Sequence, residues 1–285
     1  MIFMFLVTSA AGHTGTIITQ ALVNAGYDVL ATDINPRVKD LPGIKAAKVG
    51  DLTNLDFLKD LLTDVDQIAY IPPLFSPEEA LIGQTLVDLA IANHVQQFIF
   101  ISVTHPILHT LLQHVAKRDV EEHLIYQGMA HSLTYTILQP MHYMHNFNPK
   151  QVQQDLTYGI FYDIHAKVAY VDPEDVAAVV VKVAQKPAFH DKATYELVGT
   201  QAYSPVELVA QFNALTGLQA QAKYVPVTQF LDQIQATDLY FRAGFQQLAD
   251  SYSRWGLDGN PNVLRYLLGR EPTSFTAYLK RELQS

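Results

Sequence analysis

Cysteine is absent from the 285 residues. That excludes disulfides, thiolate metal sites, iron–sulfur clusters and cysteine nucleophiles, so any chemistry must use other side chains. Charge is scarce as well: Asp, Glu, Lys and Arg make up 16% of the chain, no run of Lys or Arg occurs, and the formal net charge is −9. Such a surface repels polyphosphates on average, which argues against direct nucleic-acid binding. Long apolar runs are missing too. The stretch Met1 to Ala11 is apolar and ends in small residues, but it has no basic flank and runs into a glycine motif, so it reads as a buried first strand, not a signal. No other stretch approaches the roughly 20 apolar residues that cross a bilayer. A cytoplasmic protein without a membrane span is expected.

What is present is apolar material: 49% hydrophobic residues, of which aromatics are a large share at 11% of the chain. That is enough for a large core, and the length suits one large α/β unit with a smaller lobe. Short apolar strands are predicted at Ile2 to Thr8, Tyr27 to Thr32, Ala46 to Val49, Gln67 to Ile71, Phe98 to Ile101 and Tyr135 to Gln139, with helix-like segments between them. This alternation points to right-handed βαβ crossovers and a Rossmann-type, doubly wound parallel sheet. Residues 1–150 form the expected core; residues 151–285 complete the sheet and add a small C-terminal α/β lobe. Three helix starts stand out, Ser76-Pro77-Glu78-Glu79, Asp172-Pro173-Glu174-Asp175 and Ser204-Pro205-Val206-Glu207. Each reads as a capping side chain, a proline at the first helical position and an acid that offsets the dipole, so these acids are assigned to caps.

The segment Thr8, Ser9, Ala10, Ala11, Gly12, His13, Thr14, Gly15 joins the first strand to the first helix. A pyrophosphate needs backbone N–H groups at a helix start and a backbone it can approach closely. Gly12 and Gly15 occupy the second and third glycine positions of such a turn, while Ser9 stands at the first. Serine reaches positive φ less readily than glycine, so either the turn stays in an allowed region or phosphate contact there is altered. The alternative is that both glycines only let helix and strand pack. Asp33 ends the second strand 18 residues after Gly15, a spacing that lets a carboxylate accept the adenosine ribose hydroxyls and repel a 2′-phosphate. That favours NAD(H). Arg37 argues for NADP(H) by offering a partner to the 2′-phosphate, and Asp33 also fits a plain turn before Asn35-Pro36.

With these residues in view, the chain resembles the NmrA-like group of atypical short-chain dehydrogenases/reductases. The likeness continues through Gly50-Asp51-Leu52, Ser102-Val103-Thr104-His105-Pro106, Lys117 to Glu122, Tyr135 to Pro140 and Tyr143-Met144-His145-Asn146. The resemblance implies that Asp51 and Leu52 lie near the adenine and that Ile71, Pro72, Pro73 and Ser102 flank the cofactor. It further implies that Lys117 points to the nicotinamide ribose and that Tyr143 and Asn146 line the substrate cleft. Its members include quinone-reducing enzymes and proteins that sense dinucleotide without turnover.

Gln113 stands four residues before Lys117, where typical short-chain dehydrogenases carry a tyrosine, so the usual proton donor is absent. Lys117, Tyr143 and His105 are the candidate catalytic groups; the alternative for Lys117 is an exposed helix pair with Glu121. The histidines lack metal-ligand spacing and no metal is expected. The expected partner is a small molecule, a quinone or other small carbonyl compound. A homodimer and a regulatory protein partner are both compatible with the sequence.

Overall fold

The computed structural model describes residues 4–284, so Ile2 and Phe3 of the predicted first strand lie outside the described residues. In chain order the elements begin β1 (Met4–Val7), α1 (His13–Asn24), β2 (Asp28–Asp33), β3 (Ala46–Val49), α2 (Leu55–Leu61) and β4 (Gln67–Tyr70). They continue with α3 (Glu79–Ala92), β5 (Gln97–Ile101), α4 (Leu112–Ala130), β6 (Thr134–Pro140), β7 (His142–Tyr143), α5 (Pro149–Asp155), β8 (Thr157–Ile160) and β9 (Tyr170–Val171). The rest are α6 (Pro173–Gln185), β10 (Ala193–Leu197), α7 (Pro205–Thr216), β11 (Gln221–Tyr224), α8 (Val227–Gln233), α9 (Leu239–Trp255), α10 (Asn262–Leu268) and α11 (Phe275–Gln284).

The chain divides into two compact units. One comprises described residues up to Ile107, His114–Gln139 and Val176–Tyr195; the other comprises Leu108–Gln113, Pro140–Asp175 and the segment from Glu196 onward. The first unit carries the main sheet, in the order β10-β6-β5-β4-β1-β2-β3. Neighbours from β3 through β6 run parallel. This is the doubly wound Rossmann arrangement, with the strand order reversing between β1 and β4.

The parallel sheet forms because its central strands are apolar on both faces: Phe5, Leu6 and Val7, and Phe98, Ile99 and Phe100, are fully buried. Tyr70 stacks on Phe100 with ring centroids 5.5 Å apart. The two glutamines of the central strands are satisfied. Gln67 donates to Gln97 (2.8 Å) and to the Ala184 carbonyl (3.3 Å), and Gln97 donates to the Val183 carbonyl (3.0 Å), which supplies partners for the orphan carbonyls at the end of α6.

The second unit contains two two-stranded parallel pairs, β8 with β11 and β7 with β9. Its core is aromatic: Phe147, Tyr158, Phe212 and Phe275 pack with centroids between 4.6 and 6.0 Å of Phe147. At the start of α6, Asp172 accepts from the Glu174 N–H and from both terminal nitrogens of Arg281, while Asp175 takes Arg270 and the Thr273 N–H. The α7 start is a full capping box between Ser204 and Glu207. The third predicted start is different. Helix α3 begins at Glu79, two residues past Pro77, because Ser76 and Glu78 close on each other (Ser76 Oγ to Glu78 Oε2, 2.9 Å). Glu79 still stands in the first turn of α3, with Glu78 at the cap, but its side chain goes to Lys117.

Candidate functional site

The turn between β1 and α1 is built around one close approach. A Cβ on Gly15 would sit 2.1 Å from the Ser9 carbonyl oxygen and 2.8 Å from the Ala10 Cα, so only glycine lets α1 lie against the turn. Ser9 takes φ +48°, inside the small left-handed region open to L residues, and thus fills the first glycine position itself. Its hydroxyl donates to the Ile71 carbonyl (2.9 Å), away from the turn's own amides. Thr8 does the same: its Oγ1 donates to the Ile71 carbonyl (2.9 Å) and accepts from the Ile71 N–H (2.8 Å), tying the ends of β1 and β4 together. Thr8 is fully buried and its side chain is spent on that tie. Gly12 caps α1 without a side-chain bond, and no acid stands in the first turn. The positive end of α1 is left for an anion. His13 and Thr14 open that helix, His13 exposed and Thr14 half-buried.

Beside the turn, a cavity of about 130 Å³ is lined by Ser9, Asp33, Ile34, Gly50, Asp51, Leu52, Thr53, Pro73, Ser76 and Ile82. Five residues singled out in the sequence converge here: Ser9, Asp33, Asp51, Leu52 and Pro73. Asp33 Oδ2 accepts from the Ala11 N–H (3.0 Å) and Oδ1 from the Asn35 N–H (2.8 Å), so the carboxylate is fixed against the turn with lone pairs to spare. Asp51 accepts from the Thr53 N–H (2.9 Å). Ile34, Leu52, Pro73 and Ile82 supply apolar walls. No cation lines this cavity. Arg37 is exposed on the short 3₁₀ turn Pro36–Asp40.

On the other side of β1 the residues are committed internally. Lys117 is buried and its Nζ lies 2.5 Å from Glu79 Oε1. An exposed pair with Glu121 is thereby overturned: Lys117 turns inward to α3, since an ammonium out of water needs a carboxylate there. Glu121 instead accepts from Ser102 Oγ (2.5 Å) and from Gln139 Nε2 (2.9 and 3.1 Å). Ser102, expected to flank a cofactor, spends its hydroxyl on Glu121. Burial raises the carboxyl of Glu121 above its ordinary range, and the Ser102 and Gln139 hydrogen bonds pull it back down.

His105 has φ +55°, and its carbonyl accepts from Nδ1 of the buried His114 (3.0 Å). Burial, more than any neighbour, holds the His114 imidazole down to about 4, so it is neutral near pH 7. Because an unfolded histidine takes up its proton near pH 6.5, the folded state loses stability as pH falls through the interval from 6.5 to about 4. Between pH 7.5 and 5 this one group is expected to cost about 2 kcal/mol. Urea unfolding of the parent and of His114→Gln at both pH values checks it: the variant should show the smaller acid loss, and equal losses would refute the assignment.

Tyr143 and Asn146 belong to the second unit. The Tyr143 ring stacks on His145 at 5.1 Å, and Asn146 Nδ2 donates to His142 Nε2 (2.9 Å). Sequence reasoning gave no site role to Glu79, His114, Glu121 or Gln139, taking Glu79 for a helix-start acid and Glu121 for an exposed partner of Lys117. The one available signal was the 117–121 spacing, which names the right helix face and the wrong partner.

The model of the NmrA-like family matches residues 4–278. The chain belongs to that family. Among curated relatives of this family member, an NAD(P)H azoreductase of Xenophilus azovorans is 27% identical over 235 residues, covering 79% of this chain and 77% of the relative. A photosystem II assembly factor, Ycf39, of Cyanophora paradoxa is 23% identical over 252 residues, covering 84% and 77%. Among solved structures, an NADPH-dependent quinone oxidoreductase of Escherichia coli in complex with NADPH superposes with a TM-score of 0.78 at 20% identity, covering 98% of this chain and 99% of that one. Among the described residues, no helix is long and apolar enough to cross a membrane.

Proposed function

We propose that this protein is an NAD(P)H-dependent oxidoreductase that prefers NAD(H) and reduces a quinone or another small carbonyl compound. The observation that carries the reading is the cavity in which Asp33 and Asp51 face apolar walls beside the open end of α1. The residues fit a dinucleotide. The exposed Gly12 leaves the backbone open to a diphosphate, Gly15 seats α1 against the turn, Asp33 has acceptor capacity left for ribose hydroxyls, and two carboxylates without a cation disfavour a 2′-phosphate. When bound, a reduced nicotinamide supplies a hydride. Lys117, held by Glu79, orients the nicotinamide ribose in this reading, and Tyr143 or His105 hands on a proton. A quinone takes protons from water readily, which suits a site without the tyrosine at position 113. The azoreductase relative and the quinone oxidoreductase neighbour support the same class of acceptor.

The test is binding of NADH and NADPH by titration calorimetry, with Asp33→Ala and Arg37→Ala beside the parent, followed by cofactor oxidation across a quinone panel. The parent is expected to favour NADH about tenfold or more, the size of one partly screened charge repulsion at the half-buried Asp33. Asp33→Ala should erase that preference and Arg37→Ala should leave it. A parent that prefers NADPH would defeat the cofactor assignment.

A second reading is a dinucleotide sensor acting on a protein partner. It is favoured by the internal commitments of Ser102, His114 and Lys117 and by the assembly-factor relative. Multiple turnovers on any acceptor would remove it.

A further inference from the structure

The Glu79–Lys117 pair takes no part in holding the turn or the cavity beside it. Glu79 opens α3 after the loop that leaves β4, and Lys117 lies in the second turn of α4, after the loop that leaves β5. Both stand at the carboxyl edge of the sheet on the β4–β5 side of the reversal point, whereas Asp33 and Asp51 stand on the β2–β3 side. A dinucleotide with its adenosine on one side of that point reaches across to the other. The Lys117 side chain is 11% exposed and that of Glu79 1%.

Stability alone gives little reason for such a pair, because drying two ions costs about what their attraction returns. It is also incompletely bonded: Glu79 Oε2 and the hydroxyl of Tyr70, whose titration is raised by burial first and by the Glu79 charge second, are buried without a hydrogen-bond partner. The nearest histidine, His114, is one turn earlier on α4 and neutral. Glu121, one turn later on α4, gives its carboxylate to Ser102 and Gln139, so the carboxylate paired with the Lys117 ammonium is that of Glu79. An ammonium by itself would oppose the positive ring of an oxidised nicotinamide and leave the reduced ring unaffected. Its carboxylate cancels that opposition.

We propose that Glu79 is a positioning residue for Lys117 whose charge cancels the ammonium's field at the nicotinamide, so that oxidised and reduced dinucleotide bind with similar affinity. This rests on the dinucleotide reading above. The experiment is calorimetric titration of NAD+ and NADH into the parent, Glu79→Gln and Lys117→Met. In the parent the two dissociation constants are of the same order. In Glu79→Gln the ratio Kd(NAD+)/Kd(NADH) rises about tenfold, the size of one partly screened charge interaction. In Lys117→Met, where no cation remains, the ratio does not rise. A merely structural role for Glu79 would weaken both nucleotides alike, and that result overturns the proposal. If Glu79→Gln does not fold, the other two proteins decide: a parent that already favours NADH tenfold, or a ratio that rises in Lys117→Met, overturns it equally. A parent that binds neither nucleotide refutes the dinucleotide reading itself, which is a different outcome from all of these.

Discussion

Gly15→Ala is expected to abolish dinucleotide binding and to cost the fold about 3 kcal/mol, at the upper end for a methyl group forced into a packed site. The new Cβ would meet Ser9 O at 2.1 Å and two further backbone atoms at 2.8 Å. None of these is the far end of a flexible side chain, so relief must come from the backbone. Either α1 lifts from the turn or Ser9 leaves its left-handed conformation, and the second choice also breaks the Ser9 bond to Ile71. Both separate the α1 amides from the Asp33 carboxylate that fixes the turn through Ala11. Gly12→Ala is the control. Its Cβ would lie 3.2 Å from the same oxygen, a contact that yields with a shift of a few tenths of an ångström. Urea unfolding should give a large loss for Gly15→Ala and a small one for Gly12→Ala, whereas NADH titration should show weakened binding in both, because a Cβ at the second glycine position stands where the diphosphate approaches the backbone. Equal, mild losses of stability would mean that the turn does not need its close approach, and the phosphate assignment would lose its basis.

How far the sequence could be read depended on how local each signal was. The strand, turn and helix around Gly15 were legible because periodicity and glycine spacing act within 20 residues, and the capping box at Ser204 is a four-residue motif. Asp33 was legible from its place at a strand end, since parallel strands end at one edge of the sheet, while Asp51 came from the family resemblance; both line the same cavity. Glu79 was not. Its run, Ser-Pro-Glu-Glu, has the spacing of a cap, yet Ser76 bonds to Glu78 and the helix starts later, which frees Glu79 to turn inward. Nothing in the run records that a lysine 38 residues away needs a carboxylate. At Thr8 the local signal was silent in another way: a threonine in a phosphate turn suggests ligand contact, and nothing in the turn records that the neighbouring strand end takes both hydrogen bonds of its side chain. Burial decides such cases, and burial is a property of the assembled sheet.

The same logic applies to Glu121, a buried carboxylate that holds two strand ends of the first unit. It is 8% exposed and accepts three hydrogen bonds, one from Ser102 just past β5 and two from Gln139 near the end of β6. Glu121→Ala removes every acceptor at once, leaving a hydroxyl and an amide dry and unpaired around a new void. The expected loss is about 4 kcal/mol, combining two stranded donors with the missing side-chain volume. Glu121→Gln keeps the volume but turns one acceptor into an NH2 group that faces the Gln139 amide, so about 2 kcal/mol should be lost despite near-identical shape. Ser102→Ala removes a single donor and leaves Glu121 with its other partner, for about 1 kcal/mol. The order Glu121→Ala, Glu121→Gln, Ser102→Ala in urea midpoint is the test; a Glu121→Gln midpoint equal to the parent's would show that the carboxylate form is not required. Because Glu121 sits one turn beyond Lys117 on α4, loosening it also frees the helix that carries the ammonium. Glu121→Gln should therefore raise the Kd for NADH even where the protein remains fully folded, and calorimetry at low denaturant would separate that effect from the loss of stability.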